Sequence, residues 1–356
     1  MHQGVMKDNG IVDIAKVITD PVKLQTTLSD DGLHLDNFNP GNFEWWYFDI
    51  IDPDTNCILK MIAHLGTDPL RRNFFPQIAV SVKTPSSKKS IIQKYPLNQF
   101  AAERNACSVR IAEQFNCYVH KNNYHIVIDI PGFSGKFTYN CDLPGWKPFG
   151  DEVSINKKRR HGAFGWVVPV PGASVTGFFT VEGQTYQLKN ASGYHDHNFW
   201  KIGQAKRLFI DEVISKWYWG RFKCGNNTII FMNTHFSQNQ LTSLYIAEGK
   251  NLIHSSNNSA RFHIDRKKND TILQCSYPEE AVIKTTKASG RHTIILKTRE
   301  VIDRKDLLEG IHPIISFLIK LLVAKPAYIG LEVTCDLLQA GQTLHGRGIF
   351  EFMLFR

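Results

Sequence analysis

The sequence predicts an all-β protein built from two β domains, and three observations support this prediction. The chain has 356 residues, which is enough for two domains of ordinary size, each with its own core. Hydrophobic residues make up 42% of the chain and charged residues 21%, a composition typical of folded globular proteins. Short alternating segments recur along most of the chain, whereas helical periodicity is convincing in a single place.

The predicted strands are short and bounded by turn residues. Alternation of apolar and polar side chains is clearest at residues 124–130, 175–181, 228–233 and 292–297. Glycine, proline, asparagine or aspartate stands at the ends of each segment. Such short, closely spaced strands are typical of antiparallel sandwiches and barrels.

An internal repeat indicates that one β domain is duplicated. Residues 44–49 (EWWYFD) precede a turn and an apolar strand that ends at His64. Residues 216–221 (KWYWGR) precede a turn and an apolar strand that ends at His235. The first tryptophan and the histidine are 19 residues apart in the first copy and 18 in the second. We therefore expect two similar β units.

The offset between the two copies is about half the chain, so we place the domain boundary near residue 205. The predicted domains are residues 1–205 and residues 206–356. Their site is expected at the interface, because clefts between domains often bind small molecules.

Large aromatic side chains occur on both faces of the repeated strands. Trp45 and Tyr47 share one face of a strand with this sequence, and Trp46 and Phe48 share the other. Such a strand is either buried on both sides or lines a cavity. Aromatic residues make up 12% of the chain, which favours dense β packing or a large aromatic pocket.

The one helical pattern covers residues 307–322. Its leucines and isoleucines follow helical spacing, and the apolar stretch is too short to span a membrane. A short helix that covers a sheet is the first expectation. A helix that rests on a membrane or guards the entrance to a pocket is the alternative.

Charge and cysteine usage limit the partners and the compartment. The formal charge is +9, with its densest cluster at residues 157–161, and no zinc-finger, helix-turn-helix or RNA-binding pattern accompanies it. We therefore predict no nucleic-acid partner and leave peripheral contact with a membrane open. Seven scattered cysteines without a Cys-x-x-Cys pair fit a reducing compartment, and no secretory signal is visible. A cytoplasmic location is expected; the oligomeric state is not predicted.

The densest polar cluster is residues 193–200 (GYHDHNFW). It follows a predicted strand pair at residues 165–169 and 177–181. If the segment is extended, His195 and His197 share a face, with Asp196 on the reverse. A histidine oriented by Asp196 could act as a general acid or base near neutral pH. A buried hydrogen-bonded network that joins the domains explains the same residues equally well.

A metal site is the third interpretation of this cluster. It would need a third ligand, His64 or His235, from elsewhere in the chain. No spacing signature supports such a site, and we predict no metal. Nucleotide-binding loops and the serine-hydrolase elbow are also missing from the sequence.

Five motifs, taken together, resemble one superfamily. They are EWWYF at 44–48, the run from Trp166 through Pro169 to Gly177, GYHDHN at 193–198, WYWGR at 217–221 and GRGIFE at 346–351. This order resembles the carotenoid hydratases (hydroxyneurosporene synthases), the AttH-like proteins and the lipocalin-like Diels–Alderases. The resemblance implies two fused lipocalin-like (calycin) β-barrel or sandwich domains, a pocket between or within them, and neither a metal nor an organic cofactor.

The sequence differs from the hydratases at the residue that serves as their catalytic acid. Their pattern places a catalytic histidine at His197, a tryptophan where this chain has Phe199, and a tyrosine and an aspartate near Phe231 and Asn233. A carboxamide cannot replace a carboxylic acid that must protonate an alkene. The resemblance to the Diels–Alderases makes fewer demands, because a pericyclic cyclisation is accelerated mainly by holding the substrate folded.

The leading hypothesis is therefore a cofactor-independent cyclase or isomerase of a hydrophobic terpenoid or polyketide-derived intermediate. A hydratase with Asp49 or Asp211 as its acid, and a non-catalytic carrier of a hydrophobic ligand, are the alternatives. The predicted catalytic residues are His197, His195, Tyr194 and Asn233. The predicted substrate-binding residues are Trp46, Tyr47, His64, Phe199, Trp217, Trp219, Phe231, His235 and Tyr245.

Overall fold

A computed structural model describes residues 11–12, 25–67, 73–157, 160–203, 207–236, 240–285, 291–307 and 326–355. These residues form two antiparallel sheets and three short 3-10 turns, Leu28–Asp31, Leu97–Gln99 and Ile210–Glu212. The all-β prediction is confirmed: the two curled sheets are those of two fused lipocalin-like domains.

The N-terminal sheet contains the first fourteen strands of the described chain. They are β1 (Ile11–Val12), β2 (Phe43–Asp52), β3 (Cys57–Thr67), β4 (Phe74–Lys83), β5 (Lys88–Lys94), β6 (Phe100–Ala102), β7 (Ser108–Ile111), β8 (Phe115–His120), β9 (Asn123–Ile130), β10 (Phe133–Cys141), β11 (Val153–Lys157), β12 (Arg160–Val181), β13 (Gln184–Gln187) and β14 (Ala191–Ile202). Their main order is β5-β4-β3-β2-β14-β12-β10-β9-β8-β7-β6. Beside this path, β11 pairs with β1 and β12, and β13 pairs with β12.

The C-terminal sheet contains the remaining nine described strands. They are β15 (Ile214–Cys224), β16 (Asn227–Phe236), β17 (Gln240–Glu248), β18 (Asn251–Asn257), β19 (Ala260–Asp270), β20 (Cys275–Thr285), β21 (His292–Asp306), β22 (Ala327–Gln339) and β23 (Gln342–Leu354). Their order is β18-β17-β16-β15-β23-β22-β21-β20-β19. The four strands predicted by alternation fall in β9, β12, β16 and β21.

The two copies of the repeat occupy equivalent places in the two sheets. The aromatic strand β2 pairs with β3 on one side and with β14, the last strand of its sheet, on the other. The aromatic strand β15 likewise pairs with β16 and with β23, the last strand of its own sheet. The sequence repeat is therefore also a repeat of strand order.

One predicted strand pair proves to be a single strand. The sequence around Pro169 and Pro171 predicts a break between residues 165–169 and residues 177–181, but β12 runs through both prolines. Its pairing with β14 shifts register on either side of Val170. Proline cannot donate a ladder hydrogen bond, and such irregularities accommodate it without ending the strand.

Two predictions fall outside the described residues. The boundary near residue 205 lies within residues 204–206, and the helix over 307–322 lies, apart from Leu307, within residues 308–325. The N-terminal sheet ends at Ile202, and the first strand of the C-terminal sheet begins at Ile214. Within the described parts of the chain, no helix has the length and apolar character that a membrane span requires.

The sheets pack through a shared apolar layer. Trp46 and Phe48 of β2 point into the core of the N-terminal sheet. Tyr47 of the same strand joins a second cluster, which also contains Trp217 and Trp219 of β15. The strand β2 is thus buried on both faces, which is one of the two arrangements that its aromatic residues predicted. Because side chains alternate along β2, one face of this strand packs in its own sheet and the other contacts the second domain.

Candidate active site

A small cavity lies in the shared layer between the two sheets. The space inside it is about 50 Å³. Its lining residues are Trp45, Tyr47, Asp196 and Asn198 from the N-terminal sheet, and Trp217, Trp219, Tyr328, Glu351 and Met353 from the C-terminal sheet. This volume suits a few water molecules or one end of an organic molecule. Aromatic faces surround two carboxyl groups, one from each sheet.

The carboxyl group of Asp196 is held by three donors. Its Oδ2 accepts hydrogen bonds from the Trp166 indole at 3.0 Å and from the Tyr194 hydroxyl at 2.8 Å. Its Oδ1 accepts from the Asn198 amide nitrogen at 2.9 Å. The amide oxygen of Asn198 is buried and has no hydrogen-bond partner among the described residues. Rotation of this amide would let Asn198 accept a proton carried on Oδ1.

Asp196 keeps its proton to a higher pH than an ordinary aspartate does. Burial raises the pKa of Asp196 to about 7, against the opposing hydrogen bonds from Trp166 and Tyr194. The nearby Glu351 also raises the pKa of Asp196. A carboxylic acid with this pKa can donate a proton near neutral pH.

Glu351 reaches the cavity from the other sheet and has its own hydrogen-bond network. Its Oε1 accepts from the Tyr328 hydroxyl at 2.6 Å, from the Lys60 ammonium at 3.3 Å and from the Tyr47 hydroxyl at 3.4 Å. Burial raises the pKa of Glu351, and the positive charge of Lys60 acts against that rise. Lys60 also donates to Asp303 at 2.6 Å, so a buried cation of β3 stands between two acidic groups of the C-terminal sheet.

His195 and His197 lie on the face of β14 that is turned away from the cavity. Both side chains are fully buried against the core of the N-terminal sheet. Nε2 of His195 lies 2.9 Å from Asp31, and Nε2 of His197 lies 2.8 Å from Glu44. Nδ1 of His197 lies 3.2 Å from the second oxygen of Asp31.

These groups form two buried carboxylate–imidazolium pairs. Burial alone would lower the pKa of His195, but Asp31 beside it raises that pKa to about 10. Hydrogen bonds with Asp31 and Glu44 likewise overcome the effect of burial and raise the pKa of His197 to about 9. Burial raises the pKa of Glu44, but hydrogen bonds with His197 and His34 hold it at about 2. We call Asp31, Glu44, His195 and His197 the histidine clamp.

Donor atoms suited to a metal ion also meet in this region. Asp31, Cys107 and His195 form one such group, and His34, Glu44 and His197 form another, each with its donor atoms within 4.8 Å of one another. The carboxylates contact the imidazoles directly, and the two negative charges balance two protonated histidines. Hydrogen-bonded ion pairs therefore account for the arrangement of both groups.

The structure brings some of the predicted site residues to the cavity and separates others from it. Tyr47, Trp217 and Trp219 line the cavity, and the Tyr194 hydroxyl donates a hydrogen bond to the lining residue Asp196. The remaining predicted residues point elsewhere. In the N-terminal sheet, Trp46 stacks on His197 and Phe199 stacks on His34. His64 lies beside Trp45, and Tyr245 packs on Trp146. Three residues of β16 face the interior of the C-terminal sheet: Phe231, Asn233 and His235.

The two aspartates suggested as substitute acids are not among the lining residues of the cavity. Asp49 accepts a hydrogen bond from Nε of Arg221 at 2.7 Å in a buried ion pair between the sheets. Asp211 belongs to the 3-10 turn Ile210–Glu212. Neither position offers an acid to a molecule in the cavity.

Six lining residues were not predicted as site residues: Trp45, Asp196, Asn198, Tyr328, Glu351 and Met353. Asp196 was considered only as a residue that orients a histidine. A carboxylate inside an otherwise apolar strand, as in GIFEF around Glu351, is the signal that could have indicated it. No comparable sequence signal points to Tyr328.

Comparison with known proteins supports the fold and one distant relationship. No family model matches the chain. Over 226 residues the chain is 24% identical to hydroxyneurosporene dehydrogenase from Chlorobaculum tepidum, a match that covers 51% of this chain and 54% of that protein. The match thus spans about half the length of this curated relative.

Three solved structures share the fold across nearly the whole chain. An AttH-like protein from Nitrosomonas europaea has a TM-score of 0.60 at 12% identity, covering 95% of this chain and 99% of its own. Kievitone hydratase from Nectria haematococca has a TM-score of 0.58 at 12% identity, covering 94% of both chains. CghA has a TM-score of 0.63 at 11% identity, covering 97% of this chain and 98% of its own.

The resemblance to the AttH and carotenoid-hydratase superfamily is confirmed. At identities of 11–12% the solved structures establish the fold alone. The chemistry must be argued from the cavity.

Proposed function

We propose that this chain is an acid–base enzyme, a cofactor-independent cyclase or isomerase acting on a hydrophobic terpenoid or polyketide-derived intermediate. One observation carries the proposal: Asp196, with a pKa of about 7, lines an aromatic cavity opposite a second buried carboxyl group, Glu351. This arrangement gives an acid and a potential base on two sides of one apolar space.

The proposed reaction begins with protonation of a carbon–carbon double bond. The Asp196 carboxyl gives its proton to one alkene carbon, and the π electrons form the new C–H bond. The positive charge then develops on the neighbouring carbon. Loss of a proton from an adjacent carbon to the Glu351 carboxylate gives an isomer. Attack by a second double bond of the same molecule, followed by the same proton loss, gives a ring.

The walls of the cavity suit such an intermediate. The rings of Trp45, Tyr47, Trp217 and Trp219 all line the space. An aromatic face attracts a cation through its quadrupole, most strongly where water is excluded. The ring centroids of Tyr47 and Trp219 lie 5.3 Å apart in an edge-to-face arrangement, so the two rings hold each other at a fixed angle in the cavity wall.

A hydratase is the second candidate, and the same acid favours it. The resemblance to carotenoid hydratases was weakened by Asn233 at the expected acid position, but Asp196 supplies a carboxylic acid from another strand. Water would add to the cation, and its surplus proton would pass to Glu351. The names of two similar proteins, a hydroxyneurosporene dehydrogenase and a kievitone hydratase, are compatible with chemistry on unsaturated substrates.

The first experiment needs no substrate. Infrared difference spectroscopy across pH 5–9 should reveal a protonated carboxyl group that titrates near pH 7 in the wild-type protein and is missing from Asp196→Asn. Asp129→Asn, a change at an exposed aspartate of β9, is the matched control and should leave the signal unchanged. A protein whose Asp196 is already ionised at pH 5 would contradict the proposal.

The second experiment distinguishes the reactions. Geraniol and farnesol, as acyclic terpenoid probes, are incubated with the protein in D₂O and in H₂¹⁸O. Carbon-bound deuterium without ¹⁸O in a rearranged product supports the cyclase or isomerase, and ¹⁸O in the product supports the hydratase. Tight binding of a probe that is recovered unchanged, with no deuterium, would instead support the carrier.

A further inference from the structure

A second cavity lies on the opposite face of the same two strands. Its space is about 280 Å³, larger than that of the cavity between the sheets. Trp217 and Trp219 of β15 face the first cavity, whereas Lys216 and Tyr218 face the second. β23 divides in the same way, with Glu351 and Met353 toward the first cavity and Phe352 and Leu354 toward the second. One wall, formed by β15 and β23, therefore separates two cavities.

The second cavity lies at one end of the interior of the C-terminal sheet. Tyr218 and Phe352 belong to the apolar core on this face, and Ile264 and Leu354 pack against it. Lys216 extends the row of inward-facing residues by one more position of β15, where an apolar residue would continue the core. The end of an otherwise apolar interior is thus lined by a lysine.

Two ammonium groups at this cavity lack a counter-ion. Lys216 of β15 and Lys267 of β19 both line it, and neither forms an ion pair with any residue in the described part of the chain. Lys216 is half-buried beside an apolar surface, so an anion that reaches its ammonium group is favoured there, and the exposed Lys267 adds a second positive charge. Tyr277 adds a hydroxyl group that can donate to the same anion.

We propose that this second cavity binds an amphiphilic anion: a carboxylate with an unbranched hydrocarbon tail of medium length. The head group would lie between Lys216 and Lys267. The tail would pack on Ile264, Phe352 and Leu354, which are the apolar part of the lining. The site is independent of the proposed acid–base chemistry, because Asp196 and Glu351 lie on the other side of the shared wall.

Calorimetric titration with decanoate tests the proposal on the full chain. We expect one decanoate to bind per chain, with roughly tenfold weaker binding in the double variant Lys216→Met and Lys267→Met, since two partly exposed ion pairs are lost. Lys223→Met removes an exposed lysine from the same strand and is the matched control; it should bind decanoate like the wild type. Decanol should bind more weakly than decanoate, because it has the tail without the charge.

Further variants locate the bound decanoate. Ile264→Trp fills the second cavity and should abolish binding, whereas Asp196→Asn alters only the first cavity and should leave it intact. Unfolding curves confirm that each variant is folded. Unchanged binding in the double lysine variant, or loss of binding in Asp196→Asn, would overturn the proposal. If decyl phosphate binds more tightly than decanoate, the proposed carboxylate head group is wrong and the site prefers a phosphate head group.

Discussion

Asp196 and His197 are adjacent in β14, yet their side chains lie in different parts of the molecule. The Asp196 carboxyl faces the cavity between the sheets, and the His197 imidazole is buried in the N-terminal core against Glu44. Alternation along one strand therefore separates a carboxyl group that lines the cavity from an imidazole buried in the core. In the motif HDHN, Asp196 and Asn198 line the cavity, whereas the two histidines do not.

The Tyr194 hydroxyl is one of two donors that oppose the rise in the pKa of Asp196 caused by burial. It donates to Oδ2 of Asp196, and this hydrogen bond lowers the pKa of the carboxyl group against the effect of burial. Tyr194→Phe should therefore raise the pKa of Asp196 above about 7. Infrared titration would detect the shift, with Tyr118→Phe, a change at an exposed tyrosine, as its control. A lower pKa in Tyr194→Phe would contradict this role.

Lys60 is expected to keep Glu351 available as a base. Its ammonium group opposes the rise that burial causes in the pKa of Glu351, so Lys60→Met should raise that pKa further. A carboxyl group with a raised pKa in the folded state contributes stability below its unfolded pKa and loses that contribution as the pH rises. The free energy of unfolding of Lys60→Met should therefore fall more steeply above pH 4.5 than that of the wild type.

Urea unfolding at a series of pH values measures this difference. Lys88→Met is a suitable control, because Lys88 also joins the two sheets but its side chain is 41% exposed. Above pH 4.5 its profile should parallel that of the wild type, because the pKa of its partner Glu300 is lowered to about 2 and that contribution changes only at more acidic pH. A Lys60→Met profile parallel to the wild-type profile would show that Lys60 does not act on Glu351.

The fold was largely predictable, because strand alternation and the repeat depend on local sequence. The aromatic pattern of β2 predicted a strand that is either buried on both faces or lines a cavity, and the alternation of residues 195–198 predicted which side chains share a face. The site was less predictable, because it depends on which face of β14 meets the other domain. Glu351, which lies 155 residues after Asp196, reaches the same cavity only through the packing of one sheet on the other.

The buried pair of Arg221 and Asp49 should contribute strongly to the contact between the sheets. Arg221→Met leaves the Asp49 carboxylate buried without its partner, which should cost about 3–5 kcal/mol of the free energy of unfolding. Replacing both partners, as in Arg221→Met with Asp49→Leu, should recover much of that loss. Lys250→Met breaks an exposed pair with Asp142 and should cost less than about 1 kcal/mol. Equal losses in the two single variants would contradict the argument.

The histidine clamp should give the protein a stability optimum at mildly acidic pH. The pKa values of His195 and His197 are raised to about 10 and about 9. Their contribution is therefore complete below the unfolded value of 6.5 and is lost as the pH rises through the folded values. The pKa of Glu44 is lowered to about 2, so its contribution is complete above the unfolded value of 4.5 and is lost as the pH falls. Together these groups stabilise the fold most between about pH 4.5 and pH 6.5.

Urea unfolding of His197→Gln at pH 6 and pH 9 separates this effect from general charge effects. At pH 6 the variant should lose about 3–5 kcal/mol, because Glu44 is left buried beside an uncharged partner. At pH 9 the loss should be smaller, since the wild-type His197 is itself partly deprotonated there. His345→Gln changes a histidine that is 79% exposed and should leave the profile unaltered. If His197→Gln cost the same at both pH values, the stabilisation would come from packing and not from the charge of the imidazole.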